Sequence, residues 1–79
     1  MYKQGLYHKL RKMALNTLDG ISNHADYITS QITWAYKWKT MSEDEIHDLS
    51  NIMTAYFSPD YEYDRDTRRL FDENWNDVT

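Results

Sequence analysis

The sequence predicts an all-α fold: one domain over residues 1–79, a small bundle of three to four helices with a central amphipathic helix. Three observations carry that expectation. Apolar residues recur at alternating spacings of three and four through most of the chain. Glycine and proline number only 2 and 1, too few for a turn-rich β fold. The hydrophobic share of 41% is too high for a disordered chain.

The first helix is expected from about Tyr2 to Leu18. Leu6, Leu10, Met13 and Thr17 fall on one face, with Ala14 and Leu18 beside them. Gly20 is placed to take a left-handed position after it, and Ile21 to supply the apolar contact of a Schellman motif. Ser22 or Asn23 is a candidate cap for the next helix. Apolar residues stay nearly in phase across Asp19 and Gly20, so one long helix is the alternative.

Ile21–Lys39 is expected to be the central helix, packed between the first and the third. Ile21, Ala25, Ile28, Ile32 and Ala35 make one stripe. Tyr27, Trp34 and Trp38 make a second, and a helix apolar on two sides asks for cover on two sides. The third helix has the clearest start in the chain. Ser42 and Glu45 form the S-x-x-E capping box, and Met41 and Ile46 sit where a hydrophobic staple needs them. Ile46, Leu49, Met53 and Tyr56 give its buried stripe, and Pro59 ends it near Phe57. A shorter, more exposed fourth helix is expected from Asp64 or Asp66 to about Asn76.

A chain of this length buries only about 60% of the surface its unfolded state exposes, leaving little room for an enclosed catalytic cavity. The absence of cysteine removes disulfides, thiolate metal sites and thiol nucleophiles together. Small secreted domains usually need such staples, so the expected setting is soluble and cytoplasmic. No apolar run approaches the roughly 20 residues of a membrane span. The net charge of −4 conceals a division. Residues 1–40 hold six lysines and arginines against two carboxylates, net +4; residues 41–79 hold three against eleven, net −8. Such asymmetry bears on partners, unless the halves neutralise one another by packing.

Several constellations bear on chemistry. Asp60, Tyr61, Glu62, Tyr63, Asp64 and Asp66 alternate carboxylates with rigid aromatic contact area. That pattern suits a basic protein surface, imitates a run of phosphates, or is a solvated loop. Trp34, Tyr36, Lys37 and Lys39 interleave rings with cations, as single-stranded nucleic-acid binders do. Trp34 and Trp38 are four apart, share a face and are expected to fill core, and the acidic whole argues against direct nucleic-acid binding. The basic first helix, with Tyr2, Lys3, Lys9, Arg11 and Lys12, has the pattern of a helix lying on an anionic membrane, but reads first as an ordinary amphipathic helix, and no membrane association is expected. Asp44, His47 and Asp48 make only half of a di-iron pattern, so no metal and no cofactor are expected. No nucleophile elbow, phosphate loop or H-E-x-x-H is present, which points away from an enzyme.

In size, acidity, aromatic richness and lack of cysteine the chain resembles the small inhibitors encoded by phages and mobile elements, anti-CRISPR and anti-restriction proteins among them. That resemblance implies a non-enzymatic protein-binding module that blocks a nucleic-acid-binding partner through its basic surface. The alternative is a self-associating structural module, whose basic first helix meets the acidic half of another copy.

Overall fold

A computed structural model describes residues 4–79, so Tyr2 and Lys3 of the expected first helix lie outside the described residues. Three helices are followed by a short two-stranded antiparallel sheet. They are α1 (Gln4–Leu18), α2 (Ala25–Trp38), α3 (Glu43–Phe57), β1 (Glu62–Asp64) and β2 (Arg69–Phe71).

The chain reverses after α1 as its glycine demands. Gly20 takes φ +78°, the Ile21 N–H donates to the Asn16 carbonyl at 2.9 Å, and the Gly20 N–H donates to that of Thr17 at 3.1 Å. This is the Schellman pairing. Its expected apolar contact is missing, because Ile21 is 73% exposed. The stripe of α2 therefore begins at Ala25 rather than Ile21. Neither Ser22 nor Asn23 caps α2: His24 holds the N-cap position, and its backbone N–H donates to Thr17 Oγ1 at 3.2 Å. The start of α3 follows its sequence signature. The Glu45 N–H donates to Ser42 Oγ, the Ser42 N–H to Glu45 Oε1, and Met41 and Ile46 are buried beside them.

The element at the centre is α3, which corrects the expectation for Ile21–Lys39. Helix α3 packs against α1, α2 and both strands, whereas α2 touches only the other helices. The apolar stripe of α2 that faces inward is Ala25, Ile28, Ile32 and Ala35. Its second stripe finds no cover: Tyr27, Trp34 and Trp38 are exposed. The core joins Leu10 and Ala14 of α1, Ile28 and Ile32 of α2, Leu49 and Ile52 of α3, and Tyr63 and Leu70 of the strands.

The expected fourth helix is also corrected. Its residues form a hairpin in which Glu62, Tyr63 and Asp64 pair with Phe71, Leu70 and Arg69. The physical reason lies in two patterns. Tyr61-Glu62-Tyr63-Asp64 alternates with period two, so Tyr63 and Leu70 face α3 while Glu62 and Asp64 face out. Asp64 then closes the connecting turn, its Oδ1 accepting from the N–H groups of Asp66 and Thr67 at 3.0 and 3.4 Å. A second turn is built the same way. Asp72 Oδ1 accepts from the N–H groups of Asn74 and Asn76, both at 2.9 Å. The tail then runs back along β2, bridging Phe71 to Asp77 and placing Thr79 Oγ1 2.7 Å from the Leu70 N–H.

The halves of opposite charge are joined at only two ion pairs among the described residues. Arg65 holds Asp19 with its two terminal guanidinium nitrogens, at 2.6 and 3.1 Å, and Arg11 Nε lies 3.4 Å from Asp48. No described helix is long and apolar enough to cross a membrane.

Candidate functional site

The interior polar feature is a carboxylate shared by two tyrosines. Asp48 is buried on α3. Tyr7 on α1 donates its hydroxyl to Oδ2 and Tyr63 on β1 donates to Oδ1, each at 2.5 Å. The Arg11 contact is one of charge rather than a hydrogen bond, since Nε makes none. Burial, reinforced by the hydrogen bond to Asp48, pushes the Tyr63 hydroxyl up to about 12 and raises that of Tyr7 as well. Both oxygens of Asp48 are thus engaged inward. The cluster ties α1, α3 and β1 together, and its geometry is that of a structural bond, not of an exposed general base.

Beside it opens a concavity of about 520 Å³. His8, Asp44, His47, Asn51 and Arg68 are among its lining residues. Asn51 is buried and its Nδ2 has no hydrogen-bond partner among the described residues. The wall mixes acids with bases, and no described group of three or more His, Asp or Glu side chains is placed to hold a metal ion.

The outer face of the hairpin is more sharply defined. A groove of about 270 Å³ is lined by Glu62, Asp64 and Arg65 on one strand end and by Phe71 and Trp75 opposite. Trp75 is 68% exposed, with its ring centre 6.3 Å from that of Phe71. It is held there by the Asp72 turn, in which the Trp75 N–H donates to the Asp72 carbonyl and the residue takes φ +63°. The backbone N–H of Asp66, followed by contacts with Thr67, keeps the Asp64 carboxyl below the usual carboxylate range. Asp64 therefore carries its negative charge into the groove down to acid pH.

The residues expected from the sequence to form one acidic aromatic surface are divided. Tyr63 is 6% exposed with its hydroxyl turned onto Asp48, so little of it is open to the groove it helps to line. Tyr61 is half-buried against the core. Asp60, Glu62 and Asp66 are exposed, and Asp64 is half-buried. Phe71 and Trp75 supply the aromatic part instead. Sequence reasoning missed them because it placed both on a helix; the Asp72-Glu73-Asn74 turn composition before Trp75 was the available signal.

The second candidate set is divided as well. Trp34 and Trp38 are 54% and 55% exposed, which corrects their expected burial in the core. Their ring centres lie 5.4 Å apart, and the Lys37 ammonium stands 5.5 Å over the Trp38 ring. Tyr36 and Lys39 are exposed too, but helical geometry puts Tyr36 on the opposite flank of α2 from Trp34.

The chain matches no protein-family model, and comparison with curated proteins and with solved structures likewise finds no match.

Proposed function

We propose that the chain is a non-enzymatic protein-binding module, and that the outer face of the hairpin takes a basic segment of its partner. The observation that carries this reading is the juxtaposition in one groove of an exposed indole, Trp75, with two carboxylates, Glu62 and Asp64, beside an Arg65 whose charge Asp19 already meets. A lysine or arginine side chain has a matching anatomy. Its aliphatic stem covers an aromatic ring while its charged head reaches the acids. The ring adds about 0.5–2 kcal/mol by cation–π attraction. Asp60 and Asp66 extend the negative field along the approach and favour a partner with several cations. A partner that uses such a surface for nucleic acid would lose it while the hairpin occupies it. That competition is the inhibitory mode implied by the small phage-type proteins that the chain resembles in composition.

The test is a titration with a short lysine- and arginine-rich peptide, followed calorimetrically at low and at high salt. Trp75→Ala is expected to weaken binding about 3- to 30-fold, the loss of one cation–π contact. Glu62→Lys is expected to abolish it, and salt to weaken the parent steeply. Equal affinity in the parent and both variants would remove the groove from consideration.

A further inference from the structure

The chain carries two exposed aromatic surfaces of opposite charge and holds them apart. One is the hairpin groove, with Glu62, Asp64, Phe71 and Trp75. The other is the C-terminal half of α2. From Ser30 to Thr40 it contains Lys37 and Lys39 and no carboxylate, and it exposes Trp34 and Trp38 as an adjacent pair. Neither lysine makes an ion pair among the described residues. Helix α2 packs on α1 and α3, the strands pack on α3, and α2 does not touch the hairpin. Of its own cations a single copy brings to its groove only Arg65, which Asp19 already holds, and not Lys37 or Lys39.

From this we infer that the two surfaces meet in trans. The α2 end of one copy docks its Trp34–Trp38 pair, with Lys37 and Lys39, on the hairpin groove of a second copy. The inference rests on the reading of the groove as a site for cationic side chains, and it names this chain as one occupant. The chemistry of the two surfaces corresponds part by part. Lys37 and Lys39 supply the cations that Glu62 and Asp64 call for, and the indole pair supplies apolar area to Trp75 and Phe71. Exposed aromatic clusters of this kind mark interaction sites, and aromatic anchors beside charge pairs are what binding energy concentrates on. The contact joins unlike patches, so a pair still has one surface of each kind free, the groove on one copy and the α2 end on the other. Growth is then head-to-tail, to a ring or an open chain, rather than stopping at a symmetric dimer. The same groove would serve a foreign basic partner, so self-association and partner capture compete, and a concentrated stock is partly withdrawn from capture.

Sedimentation velocity on the full chain tests this, using one variant of each surface. Trp75→Ala removes the groove anchor, and Lys37→Glu with Lys39→Glu reverses the α2 end. All three positions are exposed, and circular dichroism checks that the fold is kept. The parent is expected to grow in average mass with concentration at low salt and to return to monomer at high salt. Each variant alone is expected to associate at least tenfold more weakly. Mixed in equal amounts, the two are expected to form a dimer that stops there, since each restores the one surface the other lacks.

A parent that stays monomeric at every concentration overturns the inference. So does a mixture that forms no dimer, or a variant that associates as well as the parent. A monomeric parent that retains a single-stranded oligonucleotide, lost in the α2 variant, gives the α2 end to nucleic acid instead. The peptide titration separates the two levels. A monomer that still binds the basic peptide through Trp75 keeps the groove and loses only the second copy as its occupant.

Discussion

Replacing Asp48 with alanine is the most informative single perturbation of the fold. The change leaves the buried hydroxyls of Tyr7 and Tyr63 without their acceptor and Arg11 without its counter-charge. A hydrogen bond to a charged group is worth about 1.5–3 kcal/mol, and removing one partner of a buried ionic cluster costs about 3–5 kcal/mol. About 4 kcal/mol is the expected loss. At about 0.05–0.15 kcal/mol per residue, the whole chain has only about 4–12 kcal/mol to lose. Urea unfolding followed by far-ultraviolet circular dichroism reads the effect directly. With a slope near 1.3 kcal/mol per molar urea, the midpoint falls by about 3 M. A second variant separates an unpaired charge from a merely favourable pair. Arg11→Met, Tyr7→Phe, Asp48→Leu and Tyr63→Phe together remove every polar member at once. Such wholesale replacement is often neutral or stabilising, so the fourfold variant is expected to match or exceed the parent. Asp48→Ala costing under about 1 kcal/mol would refute the reasoning. So would a fourfold variant as weak as the single one.

Alkaline titration probes the same cluster by another route. The folded state raises the hydroxyls of Tyr7 and Tyr63 above the ordinary tyrosine value near 10. Their contribution is therefore complete below about pH 10 and is lost as pH rises through about 12 for Tyr63. Helical circular dichroism should fall across that window together with late tyrosinate absorbance, and the Tyr7→Phe/Tyr63→Phe variant should lose the coupling. At the other end, Asp19, Asp64, Asp72 and Asp77 are all held below the usual carboxylate range. The turns closed by Asp64, Asp72 and Asp77 and the Asp19–Arg65 pair are expected to loosen as pH falls below about 4, read by amide exchange at Asn74 and Asn76. Ser42→Ala breaks the capping box and is expected to cost about 1 kcal/mol in a urea titration. Gly20→Ala meets no atom within 4 Å, so its expected cost of about 1 kcal/mol is purely that of φ +78°. A larger loss there would mean that the turn is packed more tightly than its geometry indicates.

What the sequence revealed follows the range of the interactions involved. The capping box at Ser42, the staple of Met41 on Ile46 and the reversal at Gly20 are local, and all three are visible in a window of six residues. The inward stripe of α2 was legible for the same reason. The hairpin was not, because its strands are only three residues each and the Asp64 and Asp72 turns compete with a weak helical spacing of Thr67, Leu70 and Phe71. The Asp48 tie was invisible on principle. Its tyrosines lie 41 and 15 residues away, and no periodicity marks a carboxylate that long-range partners will bury. Misplacing the hairpin also decided the site residues. Tyr63 looked like contact area until the strand pleat turned it inward, and Trp75 looked like a frayed helix end until the Asp72 turn turned it outward.

The exposure of Trp34 and Trp38 follows from the same misplacement and gives it functional weight. A fourth helix laid over α2 would have covered the second stripe; a short hairpin docked on α3 cannot reach it. In so small a chain every apolar side chain left in water is a missed contribution to a thin stability margin. Yet three of the largest, Trp34, Trp38 and Trp75, are more than half exposed, while the core is completed with alanine at positions 14, 25, 35 and 55. Trp38 and Trp75 also stand beside charge, Lys37 over the one and Glu62 near the other, and Trp34 stands against Trp38. Stability alone would favour indoles in the core and small residues on the surface. The reverse arrangement, at two separate places of opposite charge, is the arrangement expected when the indoles are kept for contacts that form outside the single copy.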